Sequence, residues 1–358
     1  MNALLTKLDH YFWASIDAKE SLAFQNYTCM INPLDLDSYY HCDTVSFSVY
    51  TSGLTAERIL QHFRHNAVKV NQAAYPITFN RSKKKINEIS RIYKNAKLDR
   101  SPVVYFVSES GDDEFEEDAA DVGGPQREFF SIVMETLLTC TDPLLFEGSD
   151  GHKVPVHSQQ LVLRGFYNMV GQAMAHAIVH GEFFVVGLAK PVEVFLETGC
   201  RETACACVTL DDVPNFDIRN LLGDLINMDA EQDTQLQVDD AILNLMDQCG
   251  VTAPFLTKNN ATEVAYECMI YQVVHKRLAE MKQLREGLNA LGLADLMDSQ
   301  PKVTKELFKS VDEAAVNFGV LKHRVTKDHS VPAGSSEDQS FQFFLQYLEE
   351  TCQRKPGM

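Results

Sequence analysis

The segment Asp121-Val122-Gly123-Gly124-Pro125-Gln126-Arg127-Glu128-Phe129-Phe130 constrains the fold of this chain more than any other. Adjacent glycines reach backbone angles closed to other residues, so a tight turn is expected at Gly123 and Gly124. Pro125 suits the first turn of a helix, where its missing amide would have no partner. Beyond it, Phe129, Phe130, Val133 and Leu137 recur at helical spacing and mark the buried side. A turn before a helix can also hold an anion on backbone amides. The spacing here matches neither the phosphate-loop nor the dinucleotide glycine pattern, so a tight structural turn is the stronger reading.

Composition sets the outer bounds. The 358 residues are 45% hydrophobic, enough for one large core or two moderate ones, which excludes a disordered or fibrous chain. Fifty acidic residues against 32 basic ones give a net charge of −18. A field of that sign repels phosphates and argues against broad nucleic-acid binding, and the local run Arg81-Ser82-Lys83-Lys84-Lys85 does not reverse it. No apolar run reaches the roughly 18 residues a membrane helix needs. Met1 to Ala14 carries one positive charge, Lys7, and its apolar stretch is interrupted, so no signal peptide is read there. Nine cysteines without a small-domain framework point to reduced thiols in the cytosol or nucleus.

Along the chain, Leu4 to Ile16 reads as a short helix and Tyr39 to Tyr50 as a strand with Val45, Phe47 and Val49 alternating. Thr55 caps a helix from Ala56 to about His65. Ile86, Ile89, Tyr93 and Ala96 predict an amphipathic helix of about four turns, followed by a strand at Val103 to Val107. The acidic run from Glu109 to Asp121 is expected to be a solvated loop, because packed like charges repel. Further helices are expected at Ser158 to His180 with a left-handed stop at Gly181, near Asp217 to Ile226, at Thr262 to Leu284, at Gly287 to Leu296, and at Glu337 to Glu350. Lys322 to Ser336 is polar, holds Pro332 and Gly334, and reads as a loop. The fold class is α+β, predominantly helical.

Candidate chemistry is sparse. His176 and His180 stand four apart and face one side of a helix, but Ala177 occupies the place of the glutamate a metalloprotease uses. Packing at a helix end is the better reading, and a metal hydrolase is kept only as a check. Cys200, Cys205 and Cys207 lack zinc-site spacing and a fourth ligand, so they read as small core residues. Cys352 follows Glu349 and Glu350 near the end of the chain and is read as inert. No catalytic residue, metal or cofactor is assigned.

Taken together, several stretches resemble the N-terminal lobe of a HECT-type ubiquitin ligase. The strand Val103 to Val107 followed by Gly123, Gly124, Pro125, Arg127, Glu128, Phe129 and Phe130 is similar to that family's D-x-GGP-x-REFF signature. Phe166 to Gly181, Cys268 to Leu291 and Phe341 to Tyr347 resemble later helices of the lobe. The wording at Thr209-Leu210-Asp211-Asp212-Val213-Pro214 resembles the branch of the family that includes a cell-cycle-specific ligase of the G2 and M phases. The likeness runs from about residue 80 onward, giving a lobe-like region at 81–358 and an N-terminal extension of unknown fold at 1–80.

The resemblance implies a ubiquitin-protein ligase. The lobe would dock a ubiquitin-conjugating enzyme carrying ubiquitin as a thioester. A cysteine in a C-terminal lobe would take the ubiquitin and pass it to a lysine of a protein substrate. The chain ends about where the N-terminal lobe would, so the expectation is that the second lobe and its cysteine are absent and that this chain alone forms no thioester. The docking subdomain, around 228–300, looks short. Leu243, Met246, Phe255 and Val264 are its candidate docking residues, with helix packing as the competing reading for each. The alternative function is a non-catalytic protein that docks or sequesters the conjugating enzyme.

Overall fold

Helices form where apolar residues recur at helical spacing, and the strands between them are short. The computed structural model describes residues 54–110, 113–116, 123–227, 240–253, 256–314, 325 and 332–354. The helix expected at Leu4 to Ile16 and the strand at Tyr39 to Tyr50 lie outside them, as does most of the polar stretch from Lys322 to Ser336.

Helix α1, Ala56–Ala67, starts at Thr55, whose side-chain oxygen accepts from the Arg58 amide, and it buries Ile59 and Leu60. Strand β1 (Tyr75–Asn80), helix α2 (Lys85–Tyr93) and strand β2 (Pro102–Ser110) form a β-α-β unit. Its strands are parallel, with Tyr75 opposite Pro102 and Asn80 opposite Val107. Strand β3, Asp113–Glu116, adds antiparallel to β2. Ile77, Phe79, Val104 and Phe106 alternate along β1 and β2 and are buried. They meet helix α3, Gly124–Thr139, where the Phe129 ring lies 5.9 Å from that of Phe79.

Beyond α3, β4 (Phe146–Glu147) and β5 (Val154–Pro155) pair antiparallel. The short helix Gln159–Leu163 leads into α4, Phe166–Gly181, the innermost helix, with Val170, Ala173, Met174, Ala177 and Ile178 all fully buried. After β6 (Val185–Val186) come α5 (Lys190–Thr198), the short helix Arg201–Cys205, α6 (Phe216–Ile226), α7 (Asp240–Cys249), α8 (Lys258–Val273), α9 (Leu278–Leu288) and α10 (Leu293–Ser299). Strand β7, Phe308–Lys309, pairs parallel with β6, and α11 spans Ser336–Arg354. The α+β, mainly helical class is as expected.

Several boundaries differ from the periodicity reading. α2 is two turns and a half, so Ala96 lies beyond its end. The helix expected over Ser158 to His180 breaks at Gly165, which takes φ +67. The left-handed residue at its end is Glu182 (φ 56) and not Gly181. Gly181 is helical and is small for another reason: a Cβ there would lie 2.7 Å from both the Phe130 and Phe183 rings. The helix expected over Thr262 to Leu284 is two helices joined by a 3₁₀ turn, His275–Arg277. Part of the acidic run is strand β3, because backbone pairing with β2 offsets the repulsion that suggested a loop.

Candidate protein-docking face

Helices α6 and α7 each pack on α8, and the three supply the region where docking residues were expected. On α7, Ile242, Leu245 and Met246 follow i, i+3, i+4 spacing and point inward. On α8 the inward set is Ala261, Val264, Ala265 and Cys268. Leu243 falls off the α7 stripe and is 49% exposed, whereas Met246 and Val264 are 5% and 4% exposed. Only Leu243 of these three therefore has its side chain open at the surface, and Phe255 lies outside the described residues. Two outward residues escaped the sequence reading: Tyr266, 38% exposed on α8, and Phe216, 69% exposed at the start of α6. Tyr266 was readable in principle, since it sits off the 261/264/265/268 stripe.

The Gly123 to Phe130 segment is built into the fold as a turn and anchor. Gly123 has φ +79, a left-handed angle only glycine takes without strain, and Pro125 lies in the first turn of α3. Phe129 and Phe130 are fully buried, while Gln126 donates to the His180 carbonyl at 2.8 Å. Arg127 is exposed. Glu128 accepts from Arg81 at 2.8 Å, and the Arg81 guanidinium stacks 3.8 Å from the Phe106 ring centre.

The histidine and cysteine candidates have partners of their own. His176 is buried beneath Phe130, with Nδ1 3.0 Å from the Tyr93 hydroxyl. Burial, then the neighbouring His180, holds its pKa well below the ordinary value, so the ring is neutral. His180 Nε2 donates to the Leu98 carbonyl at 2.7 Å. The Cys200 thiol donates to Glu202 and that of Cys207 to the Thr203 carbonyl. Cys205 lies 3.7 Å from His275 Nε2, and burial pushes its thiol up. Among the described residues, no three His, Cys, Asp or Glu side chains come together to hold a metal ion. Cys352 lies on α11, with its side chain outside the described set.

The joint between α8 and α9 is fixed by buried charge. Arg277 donates Nε to the Pro155 carbonyl at 2.8 Å and pairs with Glu147, tying the joint to the β4–β5 hairpin. Three residues on, the Glu280 carboxylate accepts from the Ser158 amide at 3.0 Å and lies 3.0 Å from His157 Nδ1. The Tyr167 hydroxyl donates to the Val156 carbonyl at 2.6 Å. At Thr209–Pro214, Asp212 accepts from the Thr209 amide at 2.8 Å and meets His152 at 2.7 Å. That segment is a capped 3₁₀ turn leading toward α6, whose own cap is Asn215.

In sequence the chain is related to an E3 ubiquitin-protein ligase. The relative is the G2/M phase-specific E3 ubiquitin-protein ligase of Macaca fascicularis, 24% identical over 179 residues. Those residues are 50% of this chain and 24% of the relative, so the match spans about a quarter of that ligase's length. No family model matches the chain.

Proposed function

We propose that this chain works in ubiquitin transfer as the N-terminal lobe of a HECT-type ubiquitin ligase, docking a ubiquitin-conjugating enzyme on the α6–α8 layer. The likeness to the macaque ligase carries the reading. It is supported by the left-handed turn at Gly123 ahead of the buried Phe129 and Phe130, in the segment that resembles the D-x-GGP-x-REFF signature. It is also supported by Leu243, an exposed leucine on a layer whose other large aliphatic side chains point inward.

Under this reading the chain positions and a second lobe reacts. The conjugating enzyme brings ubiquitin as a thioester, and a cysteine of the C-terminal lobe attacks the thioester carbonyl. The conjugating enzyme's thiolate leaves, and the substrate lysine later takes the acyl group. Docking raises the effective concentration of the thioester near that cysteine. Leu243 enters the interface as an apolar anchor, and Tyr266 adds a ring with a polar tip that tolerates water when no partner is bound.

Binding of the purified chain to a panel of ubiquitin-charged conjugating enzymes tests the proposal. Saturable binding to at least one enzyme is expected, weakened at least tenfold by Leu243→Asp with the circular dichroism spectrum unchanged. Undetectable binding across the panel would reject it.

A further inference from the structure

The contact between α7 and α8 holds a pair of thiols that docking does not use. Cys249 ends α7 and is half-buried, while Cys268 lies buried in the second half of α8. Cys268 stands one turn before Gln272 on the face of α8 that packs against α7, which sets its thiol beside the Cys249 sulfur. Gln272, one turn beyond Cys268, donates its Nε2 amide to the Cys249 sulfur at 3.8 Å. Lys276, in the following 3₁₀ turn, donates to the Gln272 carboxamide oxygen at 3.5 Å. The lysine thus fixes the amide with its N–H groups toward sulfur. Donors and a nearby cation favour a thiolate, and the neighbouring Cys268 thiol leads the effects that hold the Cys249 thiol below its ordinary range. The same contact, with burial, pushes Cys268 up and keeps it protonated. Beyond Cys249 the chain turns at Gly250, with φ +67 and nothing within 4 Å of a Cβ built there, which leaves room for the helix end to shift.

We propose that Cys249 and Cys268 form a reversible disulfide when the protein meets hydrogen peroxide, Cys249 attacking and Cys268 resolving. The Cys249 thiolate displaces hydroxide from the peroxide; an S–O bond forms as the O–O bond breaks, giving a sulfenic acid. The hydroxide takes a proton and leaves as water. The Cys268 sulfur then attacks the sulfenic sulfur, and the S–OH bond breaks. Cys268's proton departs with that hydroxide as a second water. Two thiols are oxidised by two electrons and one peroxide is reduced to two waters. A small-molecule thiol reverses the bond by exchange. The two cysteines lie on the packed faces of α7 and α8, so closing to a bond of about 2.05 Å calls for a shift of side chains and of the α7 end.

Peptide mapping of the whole chain tests this without reference to docking. Trypsin places Cys249 in residues 220–258 and Cys268 in residues 259–276, one cysteine in each. After equimolar peroxide and alkylation without reductant, these two peptides are expected as a linked pair that dithiothreitol separates. In Cys268→Ser, a dimedone adduct is expected on Cys249. Peroxide-treated wild-type protein in which both cysteines remain alkylated as free thiols would overturn the proposal. So would oxidation spread over other cysteines with no 249–268 link. The wild-type map decides even if the variant folds poorly.

Discussion

Replacing Gly171 with alanine tests the close crossing of α4 and α9. A Cβ there would lie 2.2 Å from the Leu284 carbonyl oxygen, 2.7 Å from the Leu288 amide nitrogen and 2.8 Å from the Gly287 Cα. The obstruction is reciprocal, since a Cβ on Gly287 would meet the Asn168 carbonyl oxygen at 2.1 Å. Every obstructing atom is backbone, so no side chain can swing aside. Ordinary contact begins near 3.4 Å, so α4 and α9 must part by about 1 Å, and a gap of that size forfeits up to about half of each dispersion contact across the seam. Overpacking of this kind costs about 1–3 kcal/mol, and backbone obstruction places it near about 3. Alanine's better helix propensity returns about 1 kcal/mol. The net loss is about 2 kcal/mol. With a urea slope of about 2–3 kcal/mol/M, the midpoint should fall by about 0.7–1 M. Urea unfolding followed by far-ultraviolet circular dichroism reads this directly. Gly124→Ala is the control, because its Cβ would meet nothing within 4 Å. An unchanged or raised midpoint for Gly171→Ala would refute the close crossing.

Gly123→Ala should cost about 1–2 kcal/mol in the same assay, because alanine must adopt the left-handed angle there; a loss no larger than that of Gly124→Ala would contradict this. Arg277→Met strips the Pro155 carbonyl and Glu147 of their partner and should cost about 3 kcal/mol, near the low end for a buried pair because Glu147 is partly exposed; chemical denaturation with less than a third of that loss would argue against the anchor. His176 makes stability depend on pH. Its native pKa is depressed, so the unfolded chain binds a proton near pH 6.5 that the native protein refuses. The contribution is complete above pH 6.5 and falls as pH drops below it, by up to about 1.4 kcal/mol per unit. Between pH 6.5 and 5, His176→Gln should therefore show a shallower decline than wild type, and an identical slope would count against a buried neutral imidazole.

Local pattern made much of the fold legible. Phe129, Phe130, Val133 and Leu137 share one face because helical spacing puts them there, and all four are buried. What escaped was set by tertiary contact. Val274 carries no glycine or proline signal, and the joint after it is held by Arg277 reaching the Pro155 carbonyl and Glu147. Gly181 looked like a left-handed stop, but its size answers to Phe130 and Phe183, which no local window contains. Gly165 was a local signal passed over within an otherwise regular apolar stripe. In the docking region, Met246 shares the spacing of Ile242 and Leu245, so its burial was readable from α7 alone. The Cys249–Cys268 contact needed the packing of two helices and was not.

Hydrogen–deuterium exchange of this chain, with and without a saturating ubiquitin-charged conjugating enzyme, tests the docking claim most directly. The account predicts new protection concentrated in peptides covering α7 and α8, including Leu243 and Tyr266, and lost in Leu243→Asp. Protection confined to the β1–β2–β3 sheet or to α11, with α7 and α8 unchanged, would contradict it.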